Sequence, residues 1–112
     1  MIESYHFGQI TINGNKYSRD VIIFPDHVED GWWRREGHRL SLEDLQEVFE
    51  VKPEVLVIGT GYSGLMKVPQ AVRDYVATKN IELVVEKTGR ACQTYNHLCQ
   101  SKRVMAAFHL TC

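Results

Sequence analysis

Val55-Leu56-Val57-Ile58-Gly59-Thr60-Gly61-Tyr62-Ser63-Gly64 is the stretch that decides the fold. Its four apolar residues leave no polar face, so the strand they form is buried on both sides and sits mid-sheet under helices. The strand runs directly into a glycine-rich loop. Downstream, Pro69 suits a first helical turn, and Val72, Tyr75 and Val76 mark the apolar stripe of a helix that runs to about Lys79. Asn80 is a helix stop. Residues 81–85 form a second apolar strand, which Thr88-Gly89 ends. A third helix is predicted from about Arg90 to Ser101, with Ala91, Tyr95, Leu98 and Cys99 on one face, and residues 104–110 close the chain as a strand. Strand-helix-strand-helix-strand makes two consecutive βαβ units, which require parallel strands and right-handed crossovers.

Upstream the pattern changes. Residues 5–12 read as one strand, Asn13-Gly14 supplies the positive φ of a tight hairpin, and residues 16–18 return antiparallel. Residues 21–24 form a β-branched buried strand stopped by Pro25-Asp26. Residues 27–40 carry no period, apart from a short extended piece around Trp32, Trp33 and Arg34. Ser41 is an N-cap with Asp44 three residues on, and Leu42, Leu45, Val48 and Phe49 give the helix that follows its apolar face. The prediction is a mixed α/β fold over a single domain, residues 1–112. A parallel βαβαβ part makes the C-terminal half, and an N-terminal antiparallel hairpin joins the central sheet or forms a smaller one.

The chain has 112 residues, with 13 Lys+Arg against 14 Asp+Glu, and a formal charge of −1. That balance gives no broad attraction to nucleic acid or anionic lipid. No apolar run approaches the ~20 residues of a membrane span, and the start lacks a basic region followed by an apolar core. Cys92, Cys99 and Cys112 are odd in number and form no C-x-x-C pair, which predicts a reducing, cytoplasmic setting. Cys92 and Cys99 share a helix face about 10 Å apart, beyond disulfide reach. After Glu86 there is no acid, while Lys87, Arg90, Lys102 and Arg103 make the end segment basic: a solvated face or an anion- or partner-binding surface.

In open α/β sheets, ligands lie beyond the carboxyl ends of the parallel strands. Gly59, Thr60 and Gly61, then Thr88 and Arg90, then residues 109–112 emerge there. Bare glycine amides accommodate an anion, and Arg90 near a helix start adds a positive charge. Gly59-x-Gly61-x-x-Gly64 matches the dinucleotide fingerprint in form, with Glu86 closing the next strand. Pro69 places the helix too far beyond the third glycine, Lys87 follows Glu86 at once, and the chain is short for such a fold, so no cofactor is expected. His6, His27, His38, His97 and His109 form no His-x-x-x-His pair, so no metal is expected. Cys92 and His109 are the residues a small enzyme would use as a catalytic pair. Adjacent residues of an extended Trp32-Trp33-Arg34 face opposite ways, leaving one Trp to the core and one to a surface beside Arg34.

Phe7-Gly8-x-Ile10-x-Ile12-x-Gly14-x-x-Tyr17, then Asp20-Val21-Ile22, Trp33-Arg34, Gly59-x-Gly61, Tyr95-Asn96 and Phe108-His109-Leu110-Thr111-Cys112 together resemble one family. It is the small single-domain family of unknown function that includes the adipogenesis-associated protein and, more distantly, a mitochondrial complex I assembly factor. The resemblance covers essentially the whole chain. It implies a three-layer fold with a mixed central sheet and a smaller β-sheet on one side, and no established enzymatic activity. It also implies that Gly59, Gly61, Thr88, Ala91, Tyr95 and Asn96 are recurrent positions. No targeting extension is expected, so the assembly role is not carried over and a stand-alone soluble member is expected.

Two functions remain open. One is a non-catalytic binding or scaffold module with no catalytic residue, using Gly59, Thr60, Gly61, Thr88, Arg90, Ala91, Tyr95 and Asn96 for a small anionic ligand, and Trp32, Trp33 and Arg34 for a protein partner. The other is a small enzyme acting on an anionic metabolite, with Cys92 or His109 in a chemical role. Neither nucleic acid nor membrane is expected as a partner, and the oligomeric state is open.

Overall fold

The computed structural model describes all residues, 1–112. Eight strands form two sheets. Ile2–His6 (β1), Gln9–Ile12 (β2) and Asn15–Tyr17 (β3) make a three-stranded antiparallel meander. The strand expected over residues 5–12 is divided at Phe7-Gly8. Gly8 takes a φ of +77°, and its N–H donates to the Leu110 carbonyl at 2.8 Å. A backbone donor to the far end of the chain therefore turns β1 back on β2. Asn13 and Gly14 both have positive φ, 50° and 82°, as the expected β2–β3 turn requires.

The second sheet has five strands: Val21–Ile23 (β4), Val28–Asp30 (β5), Val55–Thr60 (β6), Glu82–Glu86 (β7) and Val104–His109 (β8). Their spatial order is β5-β4-β8-β6-β7. β6 is parallel to both β7 and β8, as the βαβαβ pattern predicts, while β4 runs antiparallel to β8 and β5. β6 and β8 are buried along their whole length. β5 falls before Trp32 rather than on it. The Phe24 amide donates to the His27 carbonyl at 2.8 Å, so Pro25-Asp26 is the tip of a hairpin. Val28 alone supplies the apolar side of β5, too little signal to mark a strand.

A single 3-10 turn over Leu42–Leu45 leads into Gln46–Val51 (α1). The cap is made by Asp44, which accepts from the Ser41 N–H at 2.8 Å, whereas Ser41 Oγ is buried without a partner. Gln70–Thr78 (α2) starts right after Pro69, and Asn80 at φ 59° turns the chain out of it. Thr88–Leu98 (α3) begins two residues earlier than expected, so Thr88-Gly89 is its first turn and not a break before it.

The five-stranded sheet divides the core. Alternation along β8 sends Val104, Ala106 and Phe108 to one side, with α3 and the small sheet, and Met105 and Ala107 to the other, with α1 and α2. Each large side chain buried in this way contributes roughly 1.5–3 kcal/mol of hydrophobic stabilisation.

Candidate functional site at the strand-end rim

β6 and β8 deliver Gly59, Thr60, Gly61 and His109 to one end of the sheet, and α3 starts there with Thr88. Thr88 is fully buried and stitches the three together. Its hydroxyl donates to the His109 carbonyl at 2.6 Å and accepts from the Gly61 N–H at 2.9 Å, and its N–H donates to the Gly61 carbonyl at 3.1 Å. Gly59 is a close-approach glycine. A Cβ there would stand 2.7 Å from Thr88 Oγ1 and 2.8 Å from the Phe108 ring. The Thr60 hydroxyl donates to the Glu86 carbonyl at 3.2 Å.

The amides beyond Gly61 are occupied from within the chain. Tyr62 N–H donates to the Thr111 oxygen at 2.9 Å, and Ser63 and Leu65 donate to the Cys112 oxygen at 3.2 and 3.1 Å. A Cβ on Gly61 would lie 2.4 Å from the Cys112 carbonyl carbon. Residues 111–112 thus lie on the donors that the sequence offers to an anion.

The other expected site residues disperse. Arg90 is exposed and turns back to Glu86 at 3.7 Å. Ala91 and Tyr95 face the core, where Tyr95 packs edge-on against Phe108 with centroids 6.5 Å apart. Burial, with the neighbouring Cys99, pushes the Tyr95 phenol up to about 12. Asn96 uses both ends of its amide on one residue: Oδ1 accepts from Ile2 N–H and Nδ2 donates to Ile2 C=O, both at 2.8 Å. That pairing satisfies a residue ill-suited to a helix interior and ties the edge of the small sheet to α3. Beside it, a cavity of about 290 Å³ runs between α3 and β1, lined in part by Tyr5, Gly89, Cys92 and Asn96.

Cys92 and His109 do not meet. Cys92 packs into the α3 side of the core with Phe108, and the next residue of β8, His109, turns to the opposite face. Burial pushes the Cys92 thiol up to about 12, the reverse of an activated nucleophile. All three cysteines are free thiols.

The centre of the rim is instead a buried charge cluster. Asp20 Oδ2 accepts from Arg34 Nη1 and lies against His109 Nδ1, each at 2.8 Å, while Oδ1 accepts from the Leu110 N–H at 2.8 Å. Arg34 Nη2 is 3.0 Å from His109 Nδ1. Arg34 also donates to the Gly37 carbonyl from Nε and Nη2. Burial alone would raise the Asp20 carboxyl, but hydrogen bonds from His109, the Leu110 amide and Arg34 outweigh it and hold Asp20 below its ordinary range. His109 Nε2 is buried without a partner, and the His38 ring meets the His109 ring edge-on at 5.6 Å. The separations in sequence hide this cluster. Its signals are an acid at the mouth of an all-apolar strand and a histidine closing another.

Of Trp32, Trp33 and Arg34, only Trp33 is open. Arg34 is buried in the cluster and stacks over Trp32 at 4.8 Å, and Trp32 Nε1 donates to the Asp44 carbonyl at 3.0 Å. Trp33 is 75% exposed. On the other flank, Tyr62 gathers Phe7 and Tyr5, with centroids at 5.8 and 6.4 Å. Phe7 and Tyr62 are both exposed. Tyr5 donates its hydroxyl to the Leu110 carbonyl at 2.7 Å, and burial, then Cys92, pushes it up to about 12. No three His, Cys, Asp or Glu side chains converge to hold a metal ion, and no helix is long and apolar enough to cross a membrane.

Known proteins resemble this chain over nearly all of it. The rat NADH dehydrogenase (ubiquinone) 1 alpha subcomplex assembly factor 3 is 29% identical over 109 residues, covering 95% of this chain and 57% of that protein. The zebrafish protein of the same name is 31% identical over 110 residues, covering 96% of this chain and 62% of its own length. The chain therefore spans less than two thirds of either relative. The crystal structure of a conserved hypothetical protein from Pyrococcus horikoshii OT3 superposes with a TM-score of 0.86 at 26% identity, covering 100% of this chain and 99% of the other. A family model matches residues 2–109, and the chain belongs to the family described as protein of unknown function (DUF498/DUF598).

Proposed function

We propose that the chain is a non-catalytic binding or scaffold module that holds a protein partner against the aromatic flank of the rim. The observation that carries this function is the exposed Phe7–Tyr62 pair, packed edge-on at a loop whose amides are already bonded to the Thr111 and Cys112 oxygens. An exposed aromatic group on a rigid, hydrogen-bonded base is a contact surface prepared in advance. The relatives named as assembly factors support a protein as the partner. Free thiols support a cytoplasmic or other reducing setting.

A small anion at Gly59, Thr60, Gly61 and Thr88 is the second candidate ligand. The convergence of the Tyr62, Ser63 and Leu65 amides on two main-chain oxygens favours it, because the same donors would take a carboxylate or phosphate in place of the Thr111 and Cys112 oxygens. Arg90, Ala91, Tyr95 and Asn96 would then act only through the helix they belong to. An enzyme with Cys92 and His109 as a pair has no support from their placement on opposite faces.

Cross-linking mass spectrometry on the chain in its source cells, wild type against Phe7→Ser/Tyr62→Ser, tests the proposal. Cross-links from the rim to one partner, lost at least tenfold in the variant, are expected. Equal recovery by both chains overturns it. A thermal-shift screen of anionic metabolites tests the second candidate, since a ligand of the folded state raises the transition.

A further inference from the structure

We infer that the groove between β5 and the start of α1 binds a basic protein segment, an arginine of which lies against Trp33. The groove encloses about 440 Å³ and is lined by Glu29, Asp30, Trp33, Glu43, Asp44 and Glu47 among its ten residues, with no lysine or arginine. The whole chain carries 14 acids against 13 bases, so five carboxylates in one groove, Glu29 and Asp30 from β5 and Glu43, Asp44 and Glu47 from the 3-10 turn and the start of α1, are a local excess of negative charge. Trp33 provides an observation independent of charge. It is 75% exposed, whereas its neighbour Trp32 is anchored by Arg34 and the Asp44 carbonyl. An open indole beside carboxylates is the combination that takes a guanidinium, by cation–π contact on one face and ion pairing at the edge.

The walls are built before any partner arrives. Asp44 accepts from the Arg35 and Ser41 amides at 3.1 and 2.8 Å, and Trp32 closes the floor on its carbonyl. The chain's own cations already sample the edges: Arg19 reaches Asp30 at 3.3 Å, Arg35 reaches Glu43 at 3.1 Å and His27 reaches Glu29 at 3.1 Å. These pairs are solvent-exposed and weak, so an incoming segment can replace them. Glu47 forms no ion pair. The carboxylates do not converge closely enough for a metal ion. Positive charge spaced along a chain fits them, and nucleic acid has the wrong sign.

The groove is separate from the Phe7–Tyr62 flank, so the two surfaces can be tested apart. Hexa-arginine peptide is titrated into the full chain while the indole N–H signals of Trp32 and Trp33 are followed by NMR, with hexa-glutamate as control. Binding that moves the Trp33 signal and weakens about tenfold in Glu29→Gln/Glu47→Gln and in high salt is expected. Trp33→Ala should weaken it severalfold, and Phe7→Ser/Tyr62→Ser should leave it unchanged. Folding of each variant is checked by circular dichroism, and Glu29→Lys/Glu47→Lys should reverse the preference toward hexa-glutamate. No binding by the wild type, or equal binding by the Gln variant, overturns the inference. So does salt-sensitive self-association in sedimentation velocity that Glu29→Gln/Glu47→Gln abolishes, since that would seat a second copy of this chain in the groove.

Discussion

The middle of the strand-end rim and its two flanks are made by adjacent strand ends, yet they present opposite surfaces. In the middle, Thr88 bonds to Gly61 and to the His109 carbonyl, the Thr111 and Cys112 oxygens accept from Tyr62, Ser63 and Leu65, and Asp20, Arg34 and His109 share a buried cluster. On the flanks, Trp33, Phe7 and Tyr62 stand in solvent. Val21 beside both Asp30 and Phe108, and Phe108 beside Gly59, place all of these at one end of the five-stranded sheet. The difference teaches where function can reside. Polar groups that satisfy each other hold the rim in shape, and the aromatic side chains beside them are left for something else to cover.

If that division is right, the largest loss of stability comes from breaking the central cluster. Asp20→Ala leaves the Arg34 charge buried and unpaired and orphans the Leu110 amide, which should destabilise by about 3–5 kcal/mol in urea unfolding. Asp20→Asn should lose less, because an amide oxygen still accepts. The sign with pH follows from the lowered Asp20 pKa. Its contribution is fully present above the unfolded value, roughly 3.9, and is lost as pH falls through the lower folded value. Acid unfolding of Asp20→Asn should therefore be flatter below about pH 4 than that of the wild type. An unchanged acid limb would remove Asp20 from the middle of the rim.

Next in size is Gly61→Ala. A φ of 109° strains any side chain, and the new Cβ would overlap the Cys112 carbonyl. A loss of about 2–4 kcal/mol is expected, with faster hydrogen exchange at the Tyr62 and Leu65 amides as Thr111 and Cys112 are displaced. Slow exchange at both amides in the variant would mean that the Thr111 and Cys112 oxygens are not what occupies the loop.

How much of this was legible depends on range. The parallel β6, β7 and β8 could be read because Val55 to Ile58 and residues 104–110 carry their burial in local composition and residues 81–85 are mostly apolar, although β7 is a half-buried edge strand. The Asn13-Gly14 turn could be read because its dihedrals are a local demand. The break at Gly8 could not, since its cause is a hydrogen bond to Leu110. Nor could Asp20, Arg34 and His109 be joined: Arg34 and His109 read as parts of separate sites, and Asp20 as a turn residue, until the topology brings the start of β4, the Trp loop and β8 together. Glycine spacing offers a loop of free donors after β6, but no local pattern shows that the Thr111 and Cys112 oxygens take the Tyr62, Ser63 and Leu65 amides. Arg90 does not join Gly61 and Thr88 because α3 begins at Thr88, which turns Arg90 outward toward Glu86.

The smallest expected effect is the most decisive for the flanks. Trp32 and Trp33 are adjacent and chemically identical, so any difference between them reports position alone. Trp32→Ala removes a ring stacked under the Arg34 guanidinium and an indole donor to the Asp44 carbonyl, and should cost about 2–4 kcal/mol. Trp33→Ala removes a ring that is mostly in water, and should change stability by no more than about 0.5 kcal/mol. Thermal unfolding of the two variants side by side measures the contrast without any partner being known. If Trp33→Ala falls as far as Trp32→Ala, the second indole is part of the packing, and the flank has no free aromatic to offer. If the contrast holds, the exposed ring is dispensable for folding and stands free for the contact inferred for the groove beside it.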